Sequence, residues 1–484
     1  MGFVVRELAC LIVKKLIIIK NYKMLKVLSP FDHSLIKEIP LANENDIEKA
    51  LTKAYSLFTD QSKWIAPYRR IEILENVKTI MESRIEELTV LAAHEGGKPY
   101  KDSKIEVLRA INGVKIAIEH IGQLKGEQVP MGLTNASKGR IAFTTREPIG
   151  VVVSISAFNH PLNLIIHQTV TAIAAGCPVI VKPASTTPLS CLNFVEIFKE
   201  AGLPDGWCQA IVCKSQLAEK LVTDPRVNYL SFIGSSKIGW YLRSKLSPGT
   251  RCALEHGGVA PVIVERDANI AEMIPALVKG GFYHAGQVCV SVQKVFVHES
   301  IKDTVINEIV TAANKLKVGN QLDKDTDVGP LISPLEVERV ERWVNESIDS
   351  GAELLCGGER ISDTCYKPTI LLNPAMDSKV STEEVFGPVV CLYTYSDRNK
   401  AIDLANSLSV HFQASVFTQN LDIAFDTVQK LNAAAVMVND HTAFRVDWMP
   451  FQGRDTSGIG TGGIQYSMHE MTREKLIVIK SKVL

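Results

Sequence analysis

A cysteine in the second half of the chain has the setting of a nucleophile. Cys289 follows a glycine turn in the segment Gly286-Gln287-Val288-Cys289-Val290, and residues 290–297 predict a strand. A nucleophilic thiol needs exposure at a cleft and help in reaching the thiolate. His284 is near in the chain, which leaves a Cys–His hydrolase dyad as one alternative and a buried structural thiol as another.

A glutamate is the first candidate partner for this thiol. Glu255 lies in the segment Leu254-Glu255-His256-Gly257-Gly258, directly after residues 251–254, which predict a strand. A carboxylate beside a thiol can deprotonate either the thiol or a water molecule. A lone glutamate at the end of a strand is otherwise simply solvated, so its role depends on what lies near it.

A glycine-rich turn is a candidate anion site. The segment Gly234-Ser235-Ser236-Lys237-Ile238-Gly239 follows a predicted strand and opens a predicted helix. Glycine lets a ligand approach the backbone closely, and the first N–H groups of a helix attract anions. The segment is not GxGxxG, and Trp240 and Tyr241 replace the Lys and Ser/Thr of a Walker A loop. A plain strand–helix turn is the alternative.

Alternating strands and helices must position these segments. The predicted strands from Gly150 onwards are 151–155, 179–181, 209–212, 227–232 and 251–254. Strands that are apolar throughout are typical of parallel strands buried on both faces, in a doubly wound α/β domain. Ligands bind beyond the carboxyl ends of such strands. Asn159, Lys182, Gly234-Ser235 and Glu255 each follow a strand, so we expect them at one rim.

A second αβ series follows Gly257. Its predicted strands are 262–264, 290–297, 389–393, 414–417 and 434–438, with helices at 271–280, 301–316, 335–350, 397–407 and 422–431. Before the first series, residues 45–58, 68–95 and 101–122 have helical periodicity. Residues 476–479 predict a strand that pairs with another subunit.

Composition excludes several classes of protein. The chain has 484 residues, 46% of them apolar and 22% charged, which excludes a disordered or low-complexity chain. Lys plus Arg is 53 and Asp plus Glu is 53, so no excess of positive charge predicts binding to nucleic acid. The most apolar stretch, residues 11–19, is interrupted by Lys14 and Lys15, and neither a membrane span nor a signal peptide is expected.

The cysteines indicate a reducing compartment. None of the ten Cys lies in a CxxC pair, so we expect no zinc or other metal site. A large chain with unclustered cysteines is typical of the reducing cytoplasm, so we expect a cytoplasmic location. The segment before Met24 has three interpretations: an edge strand, a mobile tail, or an over-extended start with Met24 as the true first residue.

Seven motifs together resemble the NAD(P)-dependent aldehyde dehydrogenase superfamily. In chain order they are Phe158-Asn159-His160-Pro161, Val181-Lys182-Pro183, Phe232-Ile233-Gly234-Ser235, Glu255-His256-Gly257-Gly258, Gly286-Gln287-Val288-Cys289, Glu384-Val385-Phe386-Gly387-Pro388 and Pro450-Phe451-Gln452-Gly453. They run in the family's order from about residue 29 to the end. The chain looks most like the branch with lactaldehyde, phosphonoacetaldehyde and non-phosphorylating glyceraldehyde-phosphate dehydrogenases.

The resemblance implies an α/β fold with two doubly wound parallel-sheet domains and a small β oligomerisation arm. It implies a cofactor-binding domain at 1–125 and 149–257, a catalytic domain at 258–465, and an arm at 126–148 and 466–484. A homodimer or homotetramer is therefore expected. The implied cofactor is NAD or NADP, and the implied partner is a small-molecule aldehyde.

The resemblance also implies the chemistry. Cys289 attacks the aldehyde carbon as a thiolate and forms a thiohemiacetal, whose oxyanion is held by the Asn159 amide and the Cys289 backbone N–H. Hydride transfer to the nicotinamide leaves a thioester. Glu255 activates the water that hydrolyses this thioester to a free carboxylate.

For the cofactor, the resemblance implies that Lys182 and Glu384 hold the riboses. Ser235 binds the pyrophosphate, in the loop that includes Gly234 and Gly239, and Phe386 lies at the nicotinamide. Ser185 stands where NAD-preferring members often have an acidic residue. Without that carboxylate a 2′-phosphate is not repelled, so NADP stays open beside NAD.

For the substrate, the resemblance points to four residues at the entrance, namely Arg109, His160, Arg445 and Phe451. Cationic donors there suit a small aldehyde with an anionic tail. Arg109 has an alternative role as an i, i+3 ion pair with Glu106. Phosphate-handling members have an Arg directly before the catalytic Cys, and Val288 stands there, which favours small hydroxy or carboxy aldehydes.

Three other functions remain as alternatives. A CoA-acylating semialdehyde dehydrogenase passes the acyl group to CoA instead of water, and Glu255 favours water. A cofactor-independent thioesterase or esterase uses the same Cys289 without redox chemistry. A non-catalytic member kept for binding or assembly has no need of Cys289, Glu255 and Asn159 together.

Overall fold

The computed structural model describes residues 23–483. The helices are α1 (Glu44–Thr59), α2 (Pro67–Ser83), α3 (Ile85–Gly96), α4 (Tyr100–Ile121), α5 (Asn163–Ala175), α6 (Leu189–Glu200), α7 (Ser215–Thr223), α8 (Ser236–Arg243), α9 (Ile270–Phe282), α10 (Lys302–Asn314), α11 (Pro334–Asp349), α12 (Lys379–Thr382), α13 (Arg398–Ala405), α14 (Leu421–Lys430) and α15 (Ile464–Glu470). The three interpretations of the segment before Met24 concern residues that, apart from Lys23, lie outside the described part.

Twenty strands lie within the described residues. They are β1 (Met24–Leu28), β2 (Leu35–Pro40), β3 (Gln128–Val129), β4 (Arg140–Pro148), β5 (Val151–Ile155), β6 (Val179–Lys182), β7 (Cys208–Ala210), β8 (Val227–Ile233), β9 (Arg251–Glu255), β10 (Pro261–Val264), β11 (Lys294–His298), β12 (Glu353–Cys356), β13 (Thr369–Leu372), β14 (Val389–Tyr395), β15 (Val410–His411), β16 (Gln413–Phe417), β17 (Ala435–Val438), β18 (Arg454–Asp455), β19 (Gly458–Ile459) and β20 (Thr472–Lys480).

Two parallel sheets form the framework. The first has the order β19-β9-β8-β5-β6-β7 and the second β12-β13-β14-β11-β10-β16-β17; β19 and β12 are their antiparallel edges. In the first sheet Val152 packs with α2–α6 on one face, whereas Val151 and Val153 pack with α1, α7 and α8 on the other. Helices on both faces explain why these strands lack polar alternation. The predicted doubly wound α/β fold is confirmed.

The N-terminal helices differ from the prediction in one respect. Residues 68–95 were predicted as one helix, but α2 ends at Ser83 and α3 begins at Ile85. Arg84 between them leaves the helical conformation with φ −119° and ψ 22°, and its guanidinium donates to Glu200 on α6. The apolar period continues across the break because both helices pack on the same core.

The segment around Cys289 is the second difference. The predicted strand 290–297 is wrong for its first residues, since β11 begins only at Lys294. The backbone N–H of Val292 donates to the carbonyl of Gly280 at 3.0 Å, and the Ser291 hydroxyl donates to the same carbonyl at 3.0 Å. Ser291 and Val292 are thus tied to the end of α9, and pairing with a neighbouring strand begins only at Gln293, whose carbonyl accepts from the Cys391 N–H of β14 at 2.8 Å.

The C-terminal strand forms a small sheet within its own chain. β20 lies antiparallel to β4 of the same chain, from Thr472 opposite Pro148 to Lys480 opposite Arg140, and β3 completes a three-stranded sheet. β20 is the edge strand of this sheet and pairs on one side only among the described residues, so the expected pairing of 476–479 with another subunit stays a prediction. Leu476 and Val478 are exposed on this sheet. Its role in oligomerisation stays a prediction, as do the domain boundaries.

The chain returns to the first sheet after completing the second. β19 pairs with β9, with Gly458 opposite Glu255, and α15 packs against α4 and α5. Ile464 and Met468 on α15 are fully buried in that core. This return fixes the end of β9, where Glu255 lies, from both sides.

Gly176 provides a test of the packing behind α5. It ends the helix at φ +87°, and an added Cβ would lie 3.0 Å from Pro148 Cγ and from an Arg70 nitrogen. Gly176→Ala is expected to lower the free energy of unfolding by about 1–2 kcal/mol, because an L side chain is strained at this φ. Urea denaturation measures it.

The matched control is Gly122→Ala. Gly122 also ends a helix, but at φ −69° and with nothing within 4 Å of an added Cβ. Equal stability losses for the two variants would contradict the assignment of strain to Gly176.

Candidate active site

One large cavity, of about 590 Å³, lies where the carboxyl ends of the first sheet meet the second lobe. Eleven of the predicted site residues line it: Arg109, Asn159, His160, Gly234, Ser235, Glu255, Cys289, Glu384, Phe386, Arg445 and Phe451. Parallel strands place the residues that follow them at one edge, and the second lobe contributes the thiol from the opposite side. The cavity thus brings together groups that are far apart in the chain.

Asn159 joins the two lobes at the thiol. It follows β5, is buried, and its Nδ2 donates to the carbonyl oxygen of Gln287 at 3.0 Å. Gln287 is itself held, because its Oε1 accepts from the backbone N–H of Ile332 at 2.9 Å. The Asn159 amide therefore lies against the segment that carries Cys289.

The surroundings of Cys289 disfavour its charged form. Burial raises the pKa of the thiol to about 12, and the carboxylates of Glu384 and Glu255 act in the same direction. The guanidinium of Arg445 and the cysteine's own backbone N–H act in the opposite direction. A thiolate here thus depends on nearby positive charge or on a base.

Glu255 reaches the cavity through a gap left by a glycine. An added Cβ on Gly462 would lie 2.2 Å from Glu255 Oε1 and 2.9 Å from the Phe451 carbonyl oxygen, so a side chain there would displace this carboxylate. Burial raises the pKa of Glu255, and Arg445 partly offsets the effect. A carboxylate with a raised pKa is better suited to accept a proton near neutral pH.

Glu384 and Phe386 line the cavity from the second lobe, with Glu384 next to the end of β9. Glu384 lies on Gly257, whose added Cβ would be 1.8 Å from Glu384 Oε1. Burial raises the Glu384 pKa to about 8, and its Oε1 has no hydrogen-bond partner among the described residues. Phe386 has φ +45° and packs edge-on against Phe158, with 5.8 Å between ring centroids.

These features fit a dinucleotide. The unpartnered, buried Glu384 oxygen is an acceptor for a ligand hydroxyl, which is what a ribose offers. Gly234 and Ser235 line the cavity where α8 begins, Ser235 makes no side-chain cap, and the first N–H groups of a helix attract an anion such as a pyrophosphate.

Three predicted cofactor residues do not line the cavity. Lys182 donates its ammonium to the carbonyl of Pro183 at 3.0 Å, and burial lowers its pKa. Ser185 does not line the cavity, although its neighbour Ala184 does. Gly239 has a packing role, because an added Cβ would lie 2.0 Å from His256 Cε1.

The predicted substrate cations are not equivalent. Arg109 binds Asp447 through two nitrogens, at 3.1 and 2.8 Å, so its charge is compensated. The alternative i, i+3 pair of Arg109 with Glu106 is wrong, since Glu106 pairs with Lys98. Arg445 lies over the Phe451 ring, 3.5 Å from the centroid, and its buried Nε has no partner among the described residues.

His160 is held neutral. Burial and the nearby charges of Lys98 and Arg109 hold its pKa well below the usual range. Its Nε2 lies 3.4 Å from the hydroxyl of Tyr283, which also lines the cavity. His160 thus offers a hydrogen-bonding group but no charge to a substrate.

His284 does not act as the base of a Cys–His dyad in this geometry. It is fully buried at φ +49°, and its ring packs against His160 with 6.4 Å between centroids. Within residues 23–483, neither ring nitrogen has a hydrogen-bond partner. The described residues also contain no group of three His, Cys, Asp or Glu that could hold a metal ion.

Sequence reasoning missed three residues that organise the site. Asp447 accepts from Arg109, from His167 at 2.8 Å and from Asn163 at 3.2 Å. Gln287 was quoted only as part of its motif, and Tyr283 was not identified. No local pattern marks Asp447, since its partners lie hundreds of residues away.

No helix within the described range is both long enough and apolar enough to cross a membrane.

Comparison with known proteins agrees with this geometry. Residues 18–477 match the Aldehyde dehydrogenase family. The chain is 37% identical over 456 residues to a 3-sulfolactaldehyde dehydrogenase of Priestia aryabhattai, covering 94% of each chain. It is 36% identical over 464 residues to a lactaldehyde dehydrogenase of Methanocaldococcus jannaschii, covering 95% of this chain and 98% of the relative.

Solved structures have the same fold over nearly the whole chain. Aldehyde dehydrogenase 21 of Physcomitrella patens, in complex with the reaction product succinate, has a TM-score of 0.92 at 35% identity, covering 95% of each chain. Glyceraldehyde-3-phosphate dehydrogenase GapN of Methanocaldococcus jannaschii, complexed with NADP, has a TM-score of 0.91 at 36% identity, covering 95% of this chain and 100% of that one. The chain therefore belongs to the aldehyde dehydrogenase family.

Proposed function

We propose that this enzyme oxidises a small aldehyde to the free carboxylic acid with NAD or NADP, through a thioester on Cys289. The observation that carries the proposal is that Cys289, Glu255 and Asn159 line one cavity although they come from separate segments of the two lobes. We also propose that the enzyme is cytoplasmic. The exposed apolar side chains of the three-stranded sheet support a homodimer or homotetramer.

Cys289 begins the reaction. Its thiolate attacks the aldehyde carbon, a C–S bond forms, and the carbonyl electron pair moves onto oxygen to give a thiohemiacetal oxyanion. The Asn159 amide and the Cys289 backbone N–H hold that oxyanion. One such donor in a preorganised, dry site stabilises the transition state by ~3–4 kcal/mol.

The residues proposed to hold the coenzyme are Glu384, Gly234, Ser235, Lys182 and Phe386. The coenzyme would supply the acceptor for the hydride that leaves the former aldehyde carbon, while Cys289 keeps the acyl group. Glu384 would accept a hydrogen bond from a ribose hydroxyl, and Phe386 would pack beside the nicotinamide.

The absence of a carboxylate at Ser185 admits either coenzyme, since nothing there repels a 2′-phosphate. Gly239 supports the loop indirectly through its packing on His256.

Glu255 completes the cycle. It takes a proton from water while the water oxygen attacks the thioester carbon, and the C–S bond then breaks with the electron pair returning to sulfur. Its raised pKa, caused by burial, supports a base that works near neutral pH. The acid leaves, and Cys289 is ready for another turnover.

The proposed substrate is a small hydroxy- or anionic aldehyde of the lactaldehyde or semialdehyde kind. Arg445 supports this, because its buried Nε has no partner among the described residues and its guanidinium lies over Phe451 in the cavity wall. Arg109 contributes less charge, since Asp447 compensates it. Relatives named for lactaldehyde and for an anionic sulfolactaldehyde point in the same direction.

A panel of neutral and anionic small aldehydes, assayed with NAD⁺ and with NADP⁺ by the absorbance of the reduced nicotinamide, tests the function. We expect oxidation that Cys289→Ser abolishes, with kcat/KM highest for an anionic or hydroxylated aldehyde. Cys356→Ser, at another half-buried thiol, is the control that retains activity. Near wild-type oxidation by Cys289→Ser would refute the nucleophile, and acyl-CoA formed only when CoA is added would favour the CoA-acylating alternative.

Glu255→Gln separates the two halves of the reaction. The variant is expected to give a rapid burst of about one reduced nicotinamide per active site, followed by a steady-state rate about 10²–10⁴-fold lower, because deacylation lacks its base. Rapid-mixing absorbance measures both phases. The exposed Glu353→Gln is the control, and a variant that loses the burst as well would contradict a role confined to hydrolysis.

Arg445→Gln tests the electrostatics of the thiol. Removing this positive charge raises the Cys289 pKa further, so at pH 8–9 less thiolate is present and iodoacetamide reacts about 3–10-fold more slowly. Alkylation of the coenzyme-free enzyme against pH gives the shift. The exposed Arg454→Gln is the control, and a faster alkylation of Arg445→Gln would contradict the account.

A further inference from the structure

A buried carboxylate lies behind the turn that carries Asn159. Glu106 on α4 is 1% exposed and Lys98 is 0% exposed. Glu106 Oε2 lies 2.5 Å from the ammonium of Lys98, while its Oε1 accepts from the backbone N–H groups of Leu162 at 2.9 Å and Asn163 at 3.0 Å. Both carboxylate oxygens of Glu106 therefore have partners: one forms the ion pair with Lys98, and the other accepts hydrogen bonds from the backbone.

The start of α5 needs such an acceptor. Leu162 is its N-cap residue and supplies no side-chain hydrogen bond. The first N–H groups of a helix have no partner inside it and carry partial positive charge. Glu106 provides from a different helix the acceptor that a serine or aspartate N-cap usually provides. This contact ties the beginning of α5 to α4.

The geometry points to Glu106 as a positioning residue for the oxyanion-binding amide of Asn159. Paired with Lys98, it fixes the turn that runs from Asn159 into α5 and so holds Asn159 Nδ2 against the Cys289 segment. Pro161 within this turn packs towards Gly96, where an added Cβ would lie 3.7 Å from its Cγ. The inference rests on the proposed function, in which Asn159 holds the oxyanion.

Lys98 links the same pair to the thiol side of the cavity. Its ammonium compensates the charge of Glu106 where water does not reach. It also lies 5.9 Å from the centroid of the Tyr283 ring, in the segment that leads to Cys289. One buried ion pair thus supports the amide from behind and contacts the segment that carries the nucleophile.

The chain contains a matched control. Glu95 is also fully buried, and its two oxygens accept from the N–H groups of Leu189 and Ser190, both at 2.7 Å, at the start of α6. The same chemistry therefore holds a second helix, but α6 carries neither the oxyanion donor nor the thiol. A purely structural effect of a buried helix-capping carboxylate appears at both positions, whereas an effect on oxyanion binding appears only at Glu106.

Glu106→Gln is expected to lower kcat for aldehyde oxidation by about 10- to 100-fold, the effect of a small misplacement of a catalytic group. The KM for the coenzyme and the rate of Cys289 alkylation by iodoacetamide, which needs no oxyanion donor, stay within about twofold. Glu95→Gln lowers the melting temperature but leaves all three kinetic quantities within about twofold. Equal kinetic losses in the two variants would overturn the inference.

A double-mutant cycle with Asn159→Ala gives the decisive readout. In the Asn159→Ala background, Glu106→Gln is expected to lower kcat by less than about twofold, because the group it positions is already absent. Multiplicative losses would overturn the inference. If Glu106→Gln does not fold, Glu106→Asp and Lys98→Met enter the same cycle with the same expectation. A wild-type enzyme that oxidises no aldehyde would instead refute the proposed function.

Discussion

The hydrogen bond from Asn159 Nδ2 to the Gln287 carbonyl is the contact on which the site depends. It crosses the crevice between the lobes at 3.0 Å and is buried, so it brings the amide of one sheet to the thiol segment of the other. Each partner is held from behind: Asn159 by the turn into α5, and Gln287 by the backbone of Ile332 and Pro330. A site assembled from two lobes needs such a fixed contact, because a catalytic amide tolerates little displacement.

Burial disfavours the ionised forms of the groups that the proposed reaction needs. The cavity raises the pKa values of Cys289, Glu255 and Glu384, all in the direction that disfavours their ionised forms. Arg445 opposes this for both Cys289 and Glu255. The same cation is proposed to attract an anionic substrate, so substrate binding and thiol activation share one charge. The site therefore has carboxylates suited to accept protons and a thiol that needs assistance.

The sequence could predict which residues lie at the rim of the first sheet, because each of them directly follows an apolar strand in the chain. Apolar strands followed by Asn159, Lys182, Ser235 and Glu255 imply parallel order, and parallel order places their ends together. The prediction of a strand over residues 290–293 was wrong. Val290 and Val292 are buried in a loop against other core residues, and this gives the same alternation of apolar and polar residues as a strand.

Ion pairs between residues that are far apart in the chain could not be predicted from the sequence. Asp447 lies 338 positions from its partner Arg109, and no spacing rule connects them. The Glu106 alternative failed for a similar reason, since helical spacing allowed a pair with Arg109, whereas in the fold Glu106 pairs with Lys98 and Arg109 with Asp447. The resemblance predicts which residues react, but their electrostatic state follows only from what surrounds them.

Intact-protein and peptide mass spectrometry of Glu255→Gln, quenched in acid after mixing with aldehyde and oxidised coenzyme, shows whether the acyl group forms on Cys289. We expect a mass increase equal to the acyl group of the substrate, located on the peptide that contains Cys289 and absent without coenzyme. An unmodified Cys289 peptide under conditions where reduced nicotinamide has formed, or an acyl group on another residue, would contradict it.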